Sequence, residues 1–287
     1  MHLLRLVFLC FTLIALPSPV NASLILHYDF NGDVTDKSGN GLDGTITGSP
    51  GFVAGEFDQA IYINNPAGPA SATQYVMAPN HATLQALEMS SFTWAIKYKT
   101  DDAPHTNGRL FGNHNTIADT GFGGVYDDHL RDNSYAYVLG ANSGVSGDPE
   151  TESDPNALTT DGEYHWAFIV LNRADEIFEY YVDEHLIVAK NFTNLGSVSF
   201  DNISIGRITS IPGFSARLTT IDEVLIYDMA LSQEQVNQVN EHNFALVSDP
   251  GILRLMIAAL ILLVLTSKTR HHRNVALFSN TVSRISG

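Results

Sequence analysis

The sequence predicts an all-β sandwich with one C-terminal helix, carried between an export signal and a membrane-spanning helix. Three observations predict it. Short runs rich in Val, Ile, Tyr and Phe recur between clusters of Gly, Pro, Asn and Asp from residue 24 to residue 227, at the spacing of strands in a two-layer fold. One run, Ser91–Lys99, alternates clearly, with Phe92, Trp94, Ile96 and Tyr98 on one face and Thr93, Ala95, Lys97 and Lys99 on the other. Both ends of the chain are apolar for longer than any stretch between them.

At the N-terminus, Arg5 and an apolar stretch from Leu3 to Leu16 are broken by Pro17 and Pro19. Val20-Asn21-Ala22 then fits the small-residue pattern before a signal-peptidase cut, so residues 1–22 are read as a signal peptide. Cys10, the only cysteine, leaves with that segment. A mature domain with no disulfide must be held by core burial, which about 230 residues can supply.

The strand-like runs follow in order: Leu24–Phe30, Gly44–Gly48, Ala60–Ile63, Tyr75–Ala78, Ser91–Lys99, Tyr135–Leu139 and Tyr164–Leu171. Ile177–Val182 and Leu186–Val188 flank Asp183-Glu184-His185, which reads as a hairpin turn; Val198–Phe200, Ile203–Ile205 and Ile221–Tyr227 complete ten to twelve strands. Asp101–Gly108 and Ala141–Gly162 read as long polar loops. Ser232 caps a helix over Ser232–Phe244, with Gln235 completing a capping box and Val236 and Val239 on one face. The domain is thus placed at 23–244, with 245–250 as a linker.

The apolar run Leu255–Leu265 is short against the roughly 20 residues of a full span. Residues 251–267 cross only if Arg254 and Lys268 snorkel, and a buried or hairpin helix is the other reading. Lys268, Arg270, His271, His272 and Arg273 follow, which predicts a cytoplasmic tail at 268–287 and a domain outside the membrane. Residues 23–250 hold nine Lys/Arg (the 15 of the chain less Arg5 and five from Arg254 onward) against all 31 Asp/Glu, a balance of −22. That excludes nucleic acid, whose phosphates call for basic stripes.

Among residues that could carry chemistry, Asp36-Lys-Ser38-Gly-Asn40-Gly41-Leu-Asp43-Gly44 stands out. Oxygen side chains at alternate positions with Gly between them let a loop fold around a hard cation such as calcium, which takes six to eight oxygens. A tight Asx/Gly turn between two strands is the equal alternative. No Gly-x-Ser-x-Gly is present, Gly121–Gly124 lacks the Lys-Ser/Thr of a phosphate loop, and the histidines show no zinc spacing.

Four stretches, in order, resemble the laminin-G-like (concanavalin A-like) jelly-roll domains. They are Leu26-His-Tyr-Asp-Phe30 running into Asp36–Gly44, Ser91-Phe-Thr-Trp-Ala-Ile96, Tyr164-His-Trp-Ala-Phe-Ile-Val170 followed by Tyr180-Tyr-Val-Asp-Glu-His-Leu186, and Ile221-Asp-Glu-Val-Leu-Ile-Tyr-Asp-Met-Ala-Leu-Ser232. The resemblance implies a two-sheet antiparallel jelly-roll sandwich with a structural calcium near the meeting of first and last strands. Carried over by position, Asp36, Asn40 and Asp43 would bind it from the opening loop and Asp222 from the closing strand, with Asp29 as an extra ligand. Glu184 departs from the glycine usual in that family's hairpin.

The same family houses glycoside hydrolases, whose retaining members need two carboxylates about 5–5.5 Å apart. Glu176 and Glu179 fall on opposite strand faces, and Asp222 and Asp228 lie about 20 Å apart along an extended strand, so neither set suits hydrolysis. For sugar binding, the pool is Tyr126, Tyr135, Tyr137, Tyr180, Tyr181 and Trp166; Tyr126, Tyr135 and Tyr137 are the expected contacts, with Asp128 beside them as a polar contact. Ser248-Asp-Pro250, the apolar run and the basic cluster resemble a PEP-CTERM sorting tail, but with Ser-Asp-Pro for Pro-Glu-Pro and 14 residues after Arg273. The expectation is an exported, membrane-tethered module that binds a glycan or a surface or matrix partner, with structural calcium. The alternatives are a hydrolase of the same fold and a passive surface component.

Overall fold

Alternation of apolar and small or polar residues yields fifteen strands among the described residues of this computed structural model, with two short helices between them. It describes residues 22–65, 73–100, 108–113, 122–127, 136–139, 146–147, 161–207, 216 and 218–244; residues 108–109, 122–127, 136–139 and 146–147 are described by backbone alone. The strands are β1 (Leu24–Tyr28), β2 (Thr45–Thr47), β3 (Gly51–Ala54), β4 (Gln59–Ile63), β5 (Tyr75–Met77), β6 (Phe92–Thr100), β7 (Gly108–Gly112), β8 (Phe122–Asp127), β9 (Ala136–Leu139), β10 (Ser146–Gly147), β11 (His165–Asn172), β12 (Ile177–Val182), β13 (His185–Asn191), β14 (Ser204–Ile205) and β15 (Thr219–Tyr227). The helices are α1 (Ala82–Gln85) and α2 (Gln233–Asn240).

One sheet runs β13-β12-β11-β6-β15-β4-β3, with β1 also paired to β15; the other runs β10-β9-β8-β7-β14-β5-β2, and every described pairing is antiparallel. The two-sheet antiparallel sandwich predicted from sequence is therefore present. Ala22–Val247 forms one unit. Residues 1–21 of the expected signal, the linker 245–250, the span 251–267 and the tail 268–287 lie outside the described residues. Among those described, no helix is long and apolar enough to cross a membrane.

Two cores explain the pattern. Between the sheets, Phe92, Trp94, Ile96 and Tyr98 of β6 pack with Ala167, Ile169, Ile221 and Val224 against Val76, Phe111 and Ile205 of the second sheet. The Trp94 and Phe111 rings stack at 4.6 Å, 9° from parallel, and join the two layers. On the outer side of the first sheet, Ala95, Trp166, Phe168, Leu225 and Tyr227 pack beneath Val236 and Val239 of α2. An eight-residue helix is marginal alone and is held by this burial and by its cap. Ser232 accepts from Gln235 N and Gln235 returns a bond to the Ser232 backbone, as the sequence predicts. Because α2 covers that face, β6 is buried on both sides, and of the polar face of its alternation Thr93, Ala95 and Lys97 are buried while Lys99 is half-buried.

Three differences from the sequence reading have physical causes. Strands β3, β7, β8 and β10 (the last inside the expected loop Ala141–Gly162) and helix α1 are absent from the sequence reading, because Gly51, Gly108, Gly112, Gly123, Gly124 and Gly147 read as turn residues and α1 is a single turn. Val198–Phe200 is not a strand; Val198 N donates to the Glu88 carbonyl, beside α1. Helix α2 stops at Asn240 rather than Phe244, with His242 in the left-handed region at φ 63°. The β12–β13 turn accommodates Glu184 because Asp183 takes the left-handed conformation, φ 52°, and Val182 pairs with His185 across it.

Candidate functional site

The β1–β2 loop is organised by one carboxylate. Asp36 Oδ1 accepts from His27 N (3.0 Å) and Ser38 N (2.9 Å), and Oδ2 accepts from Ser38 Oγ (2.8 Å) and Leu42 N (3.1 Å). Asp43 Oδ1 accepts from Asp36 N at 2.9 Å, and Asn40 Nδ2 donates to the carbonyls of Ile25 (2.9 Å) and Leu24 (3.2 Å). Tyr28 Oη donates to the Leu42 carbonyl at 2.6 Å. Burial alone would raise the pKa of Asp36, but the N–H donors of Leu42, Ser38 and His27 outweigh it and hold the carboxyl below its usual range. Tyr28 is pushed upward, first by burial and then by Asp36 and Asp43.

Asp36, Asn40 and Asp43 come together in this loop, whereas Asp29 caps Asn31 N at 3.2 Å and sits 3.8 Å from Lys37 Nζ. Asp222 bonds to a different segment, accepting from Glu56 N (2.6 Å) and Phe57 N (3.1 Å) through Oδ2. Each Asp36 oxygen already accepts two hydrogen bonds, and a carboxylate oxygen has two lone-pair sites. Among the described residues, no group of three or more His, Cys, Asp or Glu is placed to hold a metal. As arranged, these oxygens do not fit a calcium cage; they fit the turn.

The strongest electrostatic feature lies where β15 changes partners. Thr219–Ile221 pair with β4 and Val224–Tyr227 with β1, both along one edge of β15, and the change falls at Asp222-Glu223. Across the other edge the register slips at the same place: Ile221 faces Tyr98 and Glu223 faces Lys97, leaving Asp222 as the extra residue of a β-bulge. Around the bulge, Lys97 Nζ meets Glu56 Oε2 at 2.6 Å and lies over the rings of Phe57 (4.9 Å) and Trp166 (5.5 Å). Glu223 Oε2 meets His27 Nε2 at 2.7 Å. The rings of Phe57 and His242 stack at 3.8 Å, and Phe244 packs edge-on against His27 and Trp166.

Asp222 is 0% exposed and its Oδ1 has no partner; Glu223 is 2% exposed. Burial raises the Asp222 carboxyl to about 6 despite the two N–H donors and Lys97, and raises Glu223 to about 7 despite His27. His242 is lowered, first by burial and then by His27 and Lys97. The arrangement can hold a proton near neutral pH, but both carboxylates are sealed from a polymer substrate. Strand parity alone missed this pair. The signal was available in two consecutive acids inside the apolar run Ile221–Tyr227, which break its alternation as a bulge does.

Of the predicted sugar contacts, Tyr126 lies in β8 and Tyr137 in β9. Tyr137 pairs with Gly124, and Gly124 with the core residue Phe111, so positions 137 and 126 share the sandwich-facing side of the sheet by register. Their side chains, and Asp128 and Tyr135 entirely, lie outside what is described. A half-buried polar group, His165, is bracketed by Asp183 (2.9 Å) and Asp161 (3.0 Å). Burial lowers its pKa, but the two carboxylates outweigh that and hold it above the usual histidine value.

Comparison with solved structures agrees on the fold. Domain 4 of AbnA, an extracellular GH43 arabinanase of Geobacillus stearothermophilus solved with arabinotriose, is 19% identical with a TM-score of 0.55, over 77% of this chain and 100% of that one. The binding domain of Paraclostridial Mosquitocidal Protein 1 is 15% identical with a TM-score of 0.58, over 76% of this chain and 52% of that one. A botulinum neurotoxin type C structure, described through its interaction with two ganglioside molecules, is 12% identical with a TM-score of 0.54, over 79% of this chain and 51% of that one. This chain thus spans about half the length of the two toxin chains. No curated protein matches it. A laminin-G-type family model matches residues 70–237, more than half of the sequence, and the chain belongs to the concanavalin A-like lectin/glucanases superfamily.

Proposed function

We propose that the chain is a non-catalytic binding module that recognises a glycan or a glycan-bearing surface partner, displayed outside the cell and tethered through residues 251–267. The observation that carries the non-catalytic part is the sealing of Asp222 and Glu223. The adjacent carboxylates, both pushed up in pKa by burial, are covered by Phe57, His242 and Phe244 and held by His27 and the Glu56–Phe57 backbone. A retaining hydrolase needs its pair open to a glycosidic bond and to water. The binding part is supported by the fold and by neighbours described with arabinotriose and with gangliosides.

The test is a glycan array with the full-length chain, followed by incubation of every bound polysaccharide and measurement of new reducing ends. Retention of at least one glycan class without release of reducing ends is the expected outcome. Release that disappears in Glu223→Gln would overturn the non-catalytic reading, and an empty array would remove the glycan from it.

A further inference from the structure

Away from the bulge, the outer face of the second sheet holds a guanidinium that pairs with no carboxylate among the described residues. Gly206, at φ +84°, follows β14 in a conformation that L side chains rarely adopt, and a Cβ there would run into Ile63. This kink interrupts the alternation of β14, and Arg207 comes to lie with its guanidinium carbon 3.4 Å from the centroid of the Tyr75 ring. Tyr75 and Met77 flank the core residue Val76 on β5, so they occupy the outer face by alternation. Thr47 and Thr45 of β2 pair with them in register and continue that face; Thr45 is exposed and Thr47 half-buried.

Three other cations among the described residues have oxygen partners, whereas Lys99 lies over the Tyr164 ring as Arg207 lies over Tyr75. Arg173 donates to the carbonyls of Ser90, Leu195, Glu88 and Gly196, Lys97 pairs with Glu56, and Lys37 lies near Asp29 and Asp33. In a chain with twice as many acids as Lys and Arg, no carboxylate among the described residues pairs with Arg207. Among the described residues its Nη2 reaches the weak acceptor Met77 Sδ, at 3.8 Å, its side chain also interacts with Tyr75, and its buried Nε has no partner. A half-buried guanidinium with unmet donors, stacked rigidly on an aromatic ring, is a pre-oriented fork for a planar carboxylate.

We infer that Arg207, stacked on Tyr75 and flanked by Thr45 and Thr47, is the recognition point for a carboxylated saccharide, one bearing a uronic or sialic acid. The guanidinium takes the carboxylate through two parallel N–H donors, and the threonine hydroxyls on the same face exchange hydrogen bonds with ring hydroxyls. This rests on the binding reading above and names the ligand class within it.

The experiment is calorimetry of the full-length chain with oligogalacturonate and with sialyllactose, against lactose as the neutral probe. Wild type, Arg207→Ala and Arg207→Lys are compared, and the melting temperature of each is checked. Expected are binding of one or both acidic saccharides and an affinity that falls with added salt. Arg207→Ala should weaken binding about tenfold or more, the scale of losing a charge-assisted hydrogen bond. Arg207→Lys keeps the charge but not the fork; it should also lose affinity at unchanged melting temperature, and it carries the test if the alanine variant does not fold. The two acidic probes separate uronic from sialic acid. Equal binding of lactose and the acids, or wild-type affinity in both Arg207 variants, would overturn the inference while leaving the glycan reading standing. Failure of all three probes together with an empty glycan array would remove both.

Discussion

Replacing Glu223 with glutamine should stabilise the protein at pH 8 and flatten its response to acidification. Glu223 is 2% exposed, and burial raises its carboxyl to about 7 from 4.5 in the unfolded chain. Between those values the folded state holds more protons than the unfolded one. Stability therefore falls as pH rises through that window, and the penalty is complete above about 7. A displacement of roughly 2.5 in pKa, at about 1.4 kcal/mol each, sets a ceiling of about 3 kcal/mol. The substituted amide keeps the shape and an oxygen for His27 Nε2, now 2.7 Å from Glu223 Oε2, without ionising. Urea unfolding of wild type and Glu223→Gln at pH 5, 6, 7 and 8 reads the difference directly. The variant should be more stable by up to about 3 kcal/mol at pH 8, with a melting temperature higher by about 6–12 °C on the scaling for domains of this size. The gap should close toward pH 5. A variant no more stable than wild type at pH 8, or a gap independent of pH, would refute the assignment of a buried, reluctantly ionised carboxylate at the bulge.

Asp36→Ala removes the acceptor for four donors around the opening loop and should lower stability by about 2–4 kcal/mol. Because the Asp36 carboxyl is held low, its contribution is present above about pH 4 and lost on further acidification, as unfolding at pH 3 against pH 5 would register. Calcium or a chelator should leave the wild-type melting temperature where it is; a calcium-dependent rise that vanishes in Asp36→Ala would show that the loop rearranges into a cation site. Ser232→Ala breaks the capping box of α2 and should cost about 1 kcal/mol, measured by urea unfolding, with Ser232→Thr nearly neutral. Gly206→Ala combines a left-handed backbone with a Cβ directed into Ile63 and should destabilise by about 1–3 kcal/mol, visible as a lowered melting temperature.

The sandwich was legible because β6, β11 and β15 carry long alternating or continuous apolar runs that pair with one another across seven or more residues. Strands β3, β7 and β8 were illegible for the opposite reason: their side-chain pattern is interrupted by glycines, and they exist because neighbours supply hydrogen bonds. The opening loop was half legible. The residues of Asp36–Gly44 specify a turn rich in oxygen, but whether those oxygens face inward to N–H groups or toward a shared cation depends on contacts with His27 and Leu42 that no local pattern contains. The bulge was not legible, since one extra residue puts Asp222 beside Glu223 on one side of the sheet and simple alternation does not show where such a residue falls. Arg207 was invisible, because a lone arginine after a two-residue strand gives no periodic signal, and only the kink at Gly206 brings it over Tyr75.

The charged nest at the bulge is better understood as a register device than as a source of stability. Taking Lys97, Asp222 and Glu223 out of water is costly, and an apolar cluster of similar volume would match or exceed their net contribution. What the charges supply is position. Strands β1 and β4 share one edge of β15, so some residue must mark where one partner ends and the other begins. Asp222 does this by holding the backbone of Glu56 and Phe57, in the β3–β4 turn, against the gap. Glu223 and Lys97, paired across the sheet, are each tied to a different neighbour, His27 of β1 and Glu56 of the turn. A slip of one residue in any of the three strands would leave a buried charge without its partner, which costs more than an apolar mismatch would. The same nest carries the His242 and Phe244 segment that follows α2, so the register of the sheet and the exit path of the chain are set by one group of side chains.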